Sequence, residues 1–425
     1  MGYIGLPTAS IFANNGFNVV GVDVNPSVVD VINRGEIHIE EPGLNTLVQA
    51  AVHSGRLRAD LMPVPADVFI IAVPTPVTED HRADMSYVET AMRSIIPVLR
   101  KGNLVILEST SPPGTTRDLL APLIQDAGFK VGEDIFLAHC PERVLPGRIL
   151  KELIENHRVV GGMTAKCAEK AKALYAHVVQ GDIHLADATT AEMVKVMENT
   201  YRDVNIALAN ELARISENLE INAWEVVRLA NLHPRVNLHR PGPGVGGHCI
   251  SVDPWFIVER CPDIAKIIAT ARQINDSMPL HVVKTVKQII SSDRDPRVTL
   301  LGLAYKPDVD DMRESPALEV ASLLRAEGID LKIHDPFIRQ SKFNQVSLED
   351  AFDQSDLVIL LTAHSEYKSI SPDKVGNKMR KSRVLDCHNA LSGANWRHAG
   401  FEFHLLGEKS RSLQNIPDFF ELNAF

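Results

Sequence analysis

Cysteine is scarce in this sequence, and basic residues are fewer than acidic ones, 44 against 54. The five cysteines in 425 residues are scattered and form no C-x-x-C pair, which argues against a disulfide framework or a structural zinc site and predicts no metal site. No apolar run approaches the ~18 residues that a membrane span needs. The formal net charge of -10 disfavours bulk attraction to nucleic acid or to an anionic membrane. We therefore expect a cytoplasmic protein with neither of those partners.

What the sequence does contain is a pattern of alternating strands and helices. At 425 residues the chain exceeds one typical core, so two or three domains are expected. Apolar strand patterns alternate with helical ones in two stretches, which are separated by a helical stretch. This order predicts an α/β fold: two doubly wound, Rossmann-like domains joined by a central helical segment with a long helix. The predicted domains are residues 1–188, 189–290 and 291–425.

The start of the chain carries part of a dinucleotide-binding pattern. Gly2 and Gly5 stand as the last two glycines of G-x-G-x-x-G, a helical stretch follows, and a strand then ends at Asp23. A carboxylate there bonds the adenosine ribose hydroxyls and disfavours NADP. The first glycine and the first strand of the pattern are missing before Met1. We therefore expect the natural start to lie roughly ten residues upstream.

Three later strand patterns in the first domain each end in polar residues. Residues 67–76, 103–115 and 135–143 leave Thr75, Thr110 and Glu142 at the carboxyl ends of buried strands. In open α/β sheets that edge is where ligands bind. Taken singly, each threonine is also explained by a turn, and Glu142 by a surface salt bridge.

The central segment combines a long helix with a glycine-rich loop. Lys195, Asn199 and Arg202 are separated by four and three residues, so they share a helix face that could bind an anionic ligand or simply face solvent. Residues 241–247 contain four glycines and two prolines and cannot continue a helix or strand. Cys249 follows this loop, and Asp253 comes four residues later. A thiol in this setting suits covalent catalysis, although burial as a structural thiol is the alternative.

The last domain repeats the α/β alternation without a phosphate-binding glycine pattern. A strand from residue 297 leads to Lys306, and a helix with a proline in its first turn begins shortly after Arg313. We expect this domain to bind a nucleotide in another manner.

Taken in order, these motifs make the chain resemble the UDP-glucose/GDP-mannose dehydrogenase family over nearly its whole length. The resemblance implies an NAD domain, a helical dimer-forming middle and a UDP-binding carboxyl-terminal domain. It also implies oxidation of a sugar 6-hydroxymethyl group to a carboxylate, with two NAD reduced. The matching motifs are residues 2–5, 108–110, 141–142, 195 with 198–199, 246–249, 253–254, 306 and 313–315.

The resemblance also implies roles for individual residues. Cys249 would be the nucleophile of a thiohemiacetal and a thioester, Lys195 would stabilise oxyanions, and Asn199 would orient the reacting oxygen. Asp253, Glu142 and Thr110 would position or activate water. NAD would contact Gly2, Tyr3, Ile4, Gly5, Asp23, Thr75, Thr110 and Arg313. The UDP-sugar would contact Arg143, Val144, Lys195, Asn199, Arg202, His233, Arg235, Gly247 and Lys306, with Arg235 reaching the site of a neighbouring subunit; Cys140, Cys167, Cys261 and Cys387 would be structural.

Residues 233–258 point to a substrate. They are most similar to family members that oxidise UDP-N-acetyl-D-mannosamine to UDP-N-acetyl-D-mannosaminuronate, a precursor of surface polysaccharide. We expect this reaction in a homodimer or higher homo-oligomer. The alternatives are the same reaction on UDP-N-acetylglucosamine or UDP-glucose, or a nucleotide-sugar binding protein without catalysis.

Overall fold

The computed structural model describes residues 1–409 except residues 79, 146, 248 and 340. The chain divides into two compact units, a first unit of residues 1–199 and 252–266 and a second unit of residues 200–251 and 267–425. The predicted division into three domains partitions the chain differently and stays a prediction.

The described residues alternate between strands and helices in both units. The strands are β1 (Val19–Val22), β2 (Leu57–Asp60), β3 (Val68–Ile71), β4 (Leu104–Leu107), β5 (Phe136–His139), β6 (Arg158–Gly162), β7 (Ile183–Asp187), β8 (Arg297–Leu301), β9 (Asp330–His334), β10 (Leu357–Leu360), β11 (Arg383–Asp386) and β12 (Glu402–Leu405). The helices are α1 (Gly5–Asn14), α2 (Pro26–Asn33), α3 (Leu44–His53), α4 (Ser86–Ile95), α5 (Ala121–Asp126), α6 (Ile149–Glu155), α7 (Ala165–Tyr175), α8 (Ala188–Leu219), α9 (Ala223–Ala230), α10 (Asp253–Arg260), α11 (Lys266–Ile289), α12 (Pro316–Ala326), α13 (Leu348–Ala351), α14 (Pro372–Gly376) and α15 (Gly393–His398).

The sheets of the first unit place its candidate site residues along one edge. Five strands form a sheet in the order β3-β4-β5-β6-β7, while β1 pairs with β2 in a separate parallel sheet. In the larger sheet only β5 and β6 are antiparallel to each other. Both β4 and β5 are buried along their whole length, as expected for apolar strands covered on both faces. Because β3, β4 and β5 are parallel, Thr75, Thr110 and Glu142 all follow strands at the same edge.

The second unit contains an all-parallel sheet in the order β12-β11-β10-β8-β9. Apolar side chains of α11 and α12 pack on it, among them the fully buried Val282, Val286 and Leu324. The α12 helix begins as its sequence predicts, because the Ser315 side chain caps it and Pro316 occupies its first position. The predicted α/β class with two Rossmann-like sheets is confirmed.

The long central helix is also confirmed. The pattern predicts it from residue 190, and α8 is continuous for 32 residues, about 48 Å at 1.5 Å per residue. Glycine and proline are absent from this stretch, so nothing in it interrupts the backbone hydrogen bonds. Among the helices in the described part of the chain, none is long and apolar enough to cross a bilayer.

Candidate active site

An amide, a carboxylate and an amine come together where α8 meets the start of α10. The Asn199 side-chain amide donates to the Asp253 carboxylate at 2.6 Å. Asp253 is only 3% exposed, and burial raises its pKa to about 6 although the Lys195 charge and the Asn199 hydrogen bond oppose the rise. Lys195 lies one helical turn before Asn199, which places its ammonium on the same face of α8. A buried acid with a pKa near 6 is mostly ionised at neutral pH and can accept a proton there.

Glu192 links this helix to the segment that follows Thr110. Its carboxylate, 1% exposed, accepts hydrogen bonds from the Gly114 N–H at 2.5 Å, the Thr116 N–H at 2.7 Å and the Thr116 hydroxyl at 2.6 Å. Glu192 lies one turn before Lys195 on α8, so the helix that carries Lys195 also holds the Thr110 loop. The sequence prediction missed Glu192 because a glutamate in a helical pattern resembles a solvated residue.

Glu142 and its neighbours lie beyond the carboxyl end of β5. The Glu142 carboxylate contacts the Arg158 guanidinium, and burial raises the pKa of Glu142 while the Arg158 charge opposes that rise. Arg143, a predicted substrate contact, already donates to Glu198 at 2.8 Å and to the His157 carbonyl. Val144 is partly buried against the core of the first unit.

The amino end of α1 fits a dinucleotide. Its first residues lack a side-chain cap, and a Cβ built on Gly2 would meet nothing within 4 Å. An open, uncapped helix N-terminus of this kind suits a pyrophosphate. Asp23 follows β1, where its carboxylate pairs with the Met1 ammonium at 2.5 Å. The residues present therefore fit NAD, with the Gly2 to Gly5 turn for the pyrophosphate and Asp23 for the adenosine ribose.

The other predicted cofactor contacts divide between the two units. In the first unit Tyr3 is 46% exposed, Ile4 is half-buried beside it, and Thr75 is half-buried in the loop after β3. Arg313 belongs to the second unit, where its side chain is bonded to Asp311 at 2.7 Å. The assignment of these residues to NAD stays a prediction.

In the second unit, the glycine loop before Cys249 packs against the segment that follows β8. The Gly247 N–H donates to the Arg313 carbonyl at 3.0 Å. Gly247 has φ +82°, and a Cβ there would lie 2.9 Å from the Tyr305 ring. Cys249, two residues further on, is exposed. Burial raises the pKa of Tyr305, and the charges of Asp311 and Cys249 act in the same direction.

A buried chain of polar side chains holds the start of this loop. The Gly242 N–H donates to the Asn210 side-chain oxygen Oδ1 at 2.9 Å, and the Asn210 side-chain amide donates to Asn275 Oδ1 at 2.9 Å. Asn275 donates in turn to Asp203 at 2.8 Å, and Arg272 donates to the same carboxylate oxygen at 2.6 Å. All four side chains are almost fully buried. Since the partners of each side-chain amide fix its orientation, the start of the loop is held in a fixed position beside Asn210 of α8.

Gly247→Ala is expected to destabilise the protein and lower turnover. Gly400→Ala is the matched control, since Gly400 has φ +85° and open space around a built Cβ. Both changes cost about 1–2 kcal/mol for a left-handed backbone, but only alanine at 247 also meets the Tyr305 ring, which adds about 1–3 kcal/mol. Urea unfolding and steady-state rates check this. Equal losses of stability and rate in the two variants would contradict it.

The remaining predicted substrate contacts in the second unit are exposed. Lys306 lies in the loop after β8, and Arg202 lies on α8. His233 and Arg235 share a turn between α9 and the glycine loop, where the Arg235 N–H donates to His233 at 3.3 Å. Their roles toward substrate stay predictions.

The other cysteines sit in environments unlike that of Cys249. Cys140, Cys167 and Cys387 are buried, while Cys261 is half-buried. Burial raises the pKa of Cys140 to about 12, so at neutral pH it is a thiol rather than a nucleophilic thiolate.

Three consecutive sequence models of one family match the chain. The NAD binding domain of the UDP-glucose/GDP-mannose dehydrogenase family matches residues 1–179, its central domain residues 189–277, and its UDP binding domain residues 299–393. The matches follow the order in which the site segments occur.

Relatives match over nearly the whole length. The UDP-N-acetyl-D-mannosamine dehydrogenase of Methanocaldococcus jannaschii is 50% identical over 414 residues, 96% of this chain and 95% of its own. The NDP-N-acetyl-D-galactosaminuronic acid dehydrogenase of Ralstonia nicotianae is 47% identical over 392 residues, 89% of this chain and 93% of its own. A solved UDP-D-ManNAc dehydrogenase from Pyrococcus horikoshii is 40% identical with a TM-score of 0.88, covering 96% of this chain and 98% of its own. The predicted resemblance and the predicted cofactor NAD are confirmed: the chain belongs to the UDP-glucose/GDP-mannose dehydrogenase family, the NAD-dependent nucleotide-sugar dehydrogenases.

Proposed function

We propose that the protein oxidises UDP-N-acetyl-D-mannosamine to UDP-N-acetyl-D-mannosaminuronate, a precursor of surface polysaccharide. The observation that carries the chemistry is the buried Asp253, bonded to Asn199 and lying within the electrostatic reach of Lys195. The substrate is supported by relatives named for it, which are 50% and 51% identical to this chain.

The reaction removes four electrons from C6 of the sugar in two stages. The Gly2 to Gly5 turn and Asp23 would hold NAD, which would supply the two-electron oxidant for each stage. Lys195 stabilises the negative charge that develops on the reacting oxygen, because a preorganised ammonium in a half-buried site acts more strongly than one in water. The Asn199 amide, fixed by its bond to Asp253, orients that oxygen.

Cys249 converts the aldehyde of the first stage into a form that can be oxidised again. Its thiolate adds to C6 and forms a C–S bond, which gives a thiohemiacetal. The second oxidation turns this adduct into a thioester. Water then attacks the thioester carbon, the C–S bond breaks, and the carboxylate leaves as the thiolate returns. Overall the reaction consumes one water and releases three protons.

We assign the handling of water to Asp253, Glu142 and Thr110. Asp253 is suited to accept a proton at neutral pH since its pKa lies at about 6. Glu142 and Thr110 follow neighbouring parallel strands at the carboxyl edge of the sheet, where open α/β sheets bind ligands.

We assign the UDP-sugar to a set of mostly cationic and polar residues that come from both units. Cationic side chains are suited to bind the diphosphate, and side-chain amides are suited to hydrogen-bond the hydroxyl groups of the sugar. The residues that we assign to it are Arg143, Val144, Lys195, Asn199, Arg202, His233, Arg235, Gly247 and Lys306.

We further propose a cytoplasmic homodimer or higher homo-oligomer. A cytoplasmic location follows from the need for NAD and from cysteines that form no disulfide pattern. Self-association is supported by large apolar side chains exposed on α8, including Tyr201 at 63% and Leu208 at 50%. Arg235 is the residue that we expect to reach a neighbouring subunit's site.

UDP-N-acetyl-D-mannosamine is expected to give a higher kcat/KM than UDP-N-acetyl-D-glucosamine, UDP-N-acetyl-D-galactosamine or UDP-glucose. NADH absorbance with each sugar nucleotide and NAD measures this directly. The galactosamine sugar is included because a relative that is 47% identical is named for the corresponding uronic acid.

Each other outcome of this assay has a defined meaning. A higher kcat/KM with another of the sugars would move the proposal to that substrate while leaving the reaction intact. Binding of a UDP-sugar without NADH formation from any of the four would favour a nucleotide-sugar binding protein without catalysis.

A further inference from the structure

A buried carboxyl that no role has yet used, Glu108, lies beside Glu142. Glu108 follows β4 directly, and Glu142 follows β5 by three residues. These strands are parallel neighbours, and the Cys140 N–H donates to the Leu107 carbonyl at 3.0 Å. Both acids therefore emerge at the carboxyl edge of the same sheet.

One guanidinium, that of Arg158, lies beside both acids. Arg158, at the start of β6, contacts the Glu142 carboxylate and lies 4.0 Å from the nearer Glu108 oxygen. The Tyr175 hydroxyl of α7 donates to that same Glu108 oxygen at 2.7 Å. The guanidinium also lies over the Tyr175 ring, 4.6 Å from its centre. The titratable groups facing Glu108 are thus Glu142, Arg158, Tyr175 and the thiol of Cys140.

The charges of this cluster balance only if one acid keeps a proton. The exposed side-chain fractions are 0% for Glu108, 9% for Glu142 and 6% for Arg158. Two ionised carboxylates and one guanidinium would leave a net buried negative charge, which is costly away from water.

Geometry places that proton on Glu108. Glu142 has the direct contact with Arg158, whereas the nearer Glu108 oxygen lies 4.0 Å from the guanidinium and its side chain is the more deeply buried, 0% exposed against 9% for Glu142. Burial, and next the charge of Glu142, raise the pKa of Glu108 to about 7, against the opposing effects of Arg158 and Tyr175.

We propose that Glu108 is a positioning residue for Glu142. While Glu108 is protonated, the Arg158 guanidinium stabilises the Glu142 carboxylate alone. When Glu108 ionises, the guanidinium stabilises both carboxylates and therefore holds Glu142 less strongly. This inference rests on the proposed role of Glu142 in handling water. Below a pH of about 7 Glu108 is neutral and Glu142 is held by an unshared guanidinium. Above it, the added charge beside Glu142 weakens that hold and makes the carboxylate a stronger base. Turnover should therefore show an ionisation near neutral pH that belongs to Glu108.

Three variants separate this charge effect from a merely structural one. Glu108→Gln keeps the shape and cannot ionise, so the inflection near neutral pH should be lost from the kcat profile. Tyr175→Phe removes the hydrogen bond that favours ionised Glu108, so the inflection should move to higher pH. Glu319→Gln is the control, because burial also raises the pKa of this acid but it lies on α12 in the second unit. Its profile should match that of the unchanged protein.

A spectroscopic readout makes the test independent of catalysis. Infrared difference spectra of the full-length protein between pH 5 and pH 9 should contain, beside the band of the buried Asp253, a protonated-carboxyl band that titrates near pH 7 and is absent in Glu108→Gln. If the band that titrates near pH 7, or the kcat inflection near pH 7, persists in Glu108→Gln, the inference is overturned. If the band behaves as expected but no UDP-sugar is oxidised, the proposed function fails while the proton assignment stands.

Discussion

Cys249→Ala is expected to abolish net oxidation of the UDP-sugar, with turnover lowered by more than about 10³-fold. The substitution removes only the sulfur of an exposed residue, so the fold and the affinity for the UDP-sugar should hardly change. Without the thiolate, the aldehyde has no covalent route to a second oxidation. Steady-state NADH formation gives the rate, and calorimetric titration of the UDP-sugar gives the affinity.

The matched control is Cys261→Ala. Cys261 is half-buried at the end of α10, and it has no role in the proposed reaction, so this variant should keep its rate. The unchanged protein should produce two NADH per sugar with little free aldehyde. One NADH per sugar with accumulating aldehyde, or full activity in Cys249→Ala, would refute the covalent route.

The sequence was sufficient to predict the elements that local periodicity determines. The spacing of apolar residues predicts α8, and the four-residue separation of Lys195 and Asn199 puts them on one face. Asp253 follows Cys249 by four residues, which predicted that both belong to the catalytic site. In the structure Asp253 accepts a hydrogen bond from Asn199, 54 residues earlier in the chain. Only the family resemblance placed these two residues in one site.

The cluster around Glu108 could not be predicted in this way. Its members come from β4, β5, β6 and α7, and they meet because β5 and β6 pair in antiparallel register, with Ala138 opposite Gly162 and His139 opposite Gly161. Nothing in the local pattern specifies that direction, since a short apolar strand can pair in either sense. Arg158 is the first residue of such a strand, and an arginine at a strand end is usually exposed to solvent. In the structure Arg158 is only 5% exposed, so its residue type alone would predict the wrong environment.

Lys195→Ala is expected to lower kcat by roughly 10²-fold, about 3 kcal/mol of transition-state stabilisation, with little change in NAD affinity. Its ammonium acts on charge that exists mainly in the transition state, and such interactions raise kcat rather than tighten ground-state binding. The variant should also shift the pH profile. The Lys195 charge lowers the pKa of Asp253, which is about 6, so its loss should move the acidic limb of the profile to higher pH.

Lys306→Ala is the matched comparison, a second lysine that we assign to the substrate. Lys306 is exposed in the loop after β8, where an ammonium suits a diphosphate that carries the same charge in the ground and transition states. Its removal should therefore raise KM by about 10-fold, as expected for the loss of one charge-assisted hydrogen bond, and change kcat little. The acidic limb should stay in place, because burial, Lys195 and Asn199 set the pKa of Asp253. If both lysine variants lower kcat alike, the division of roles between Lys195 and Lys306 is wrong. If both raise KM alike with kcat unchanged, Lys195 does not act on the transition state, and oxyanion stabilisation must be assigned to another donor, such as the Asn199 amide one helical turn away.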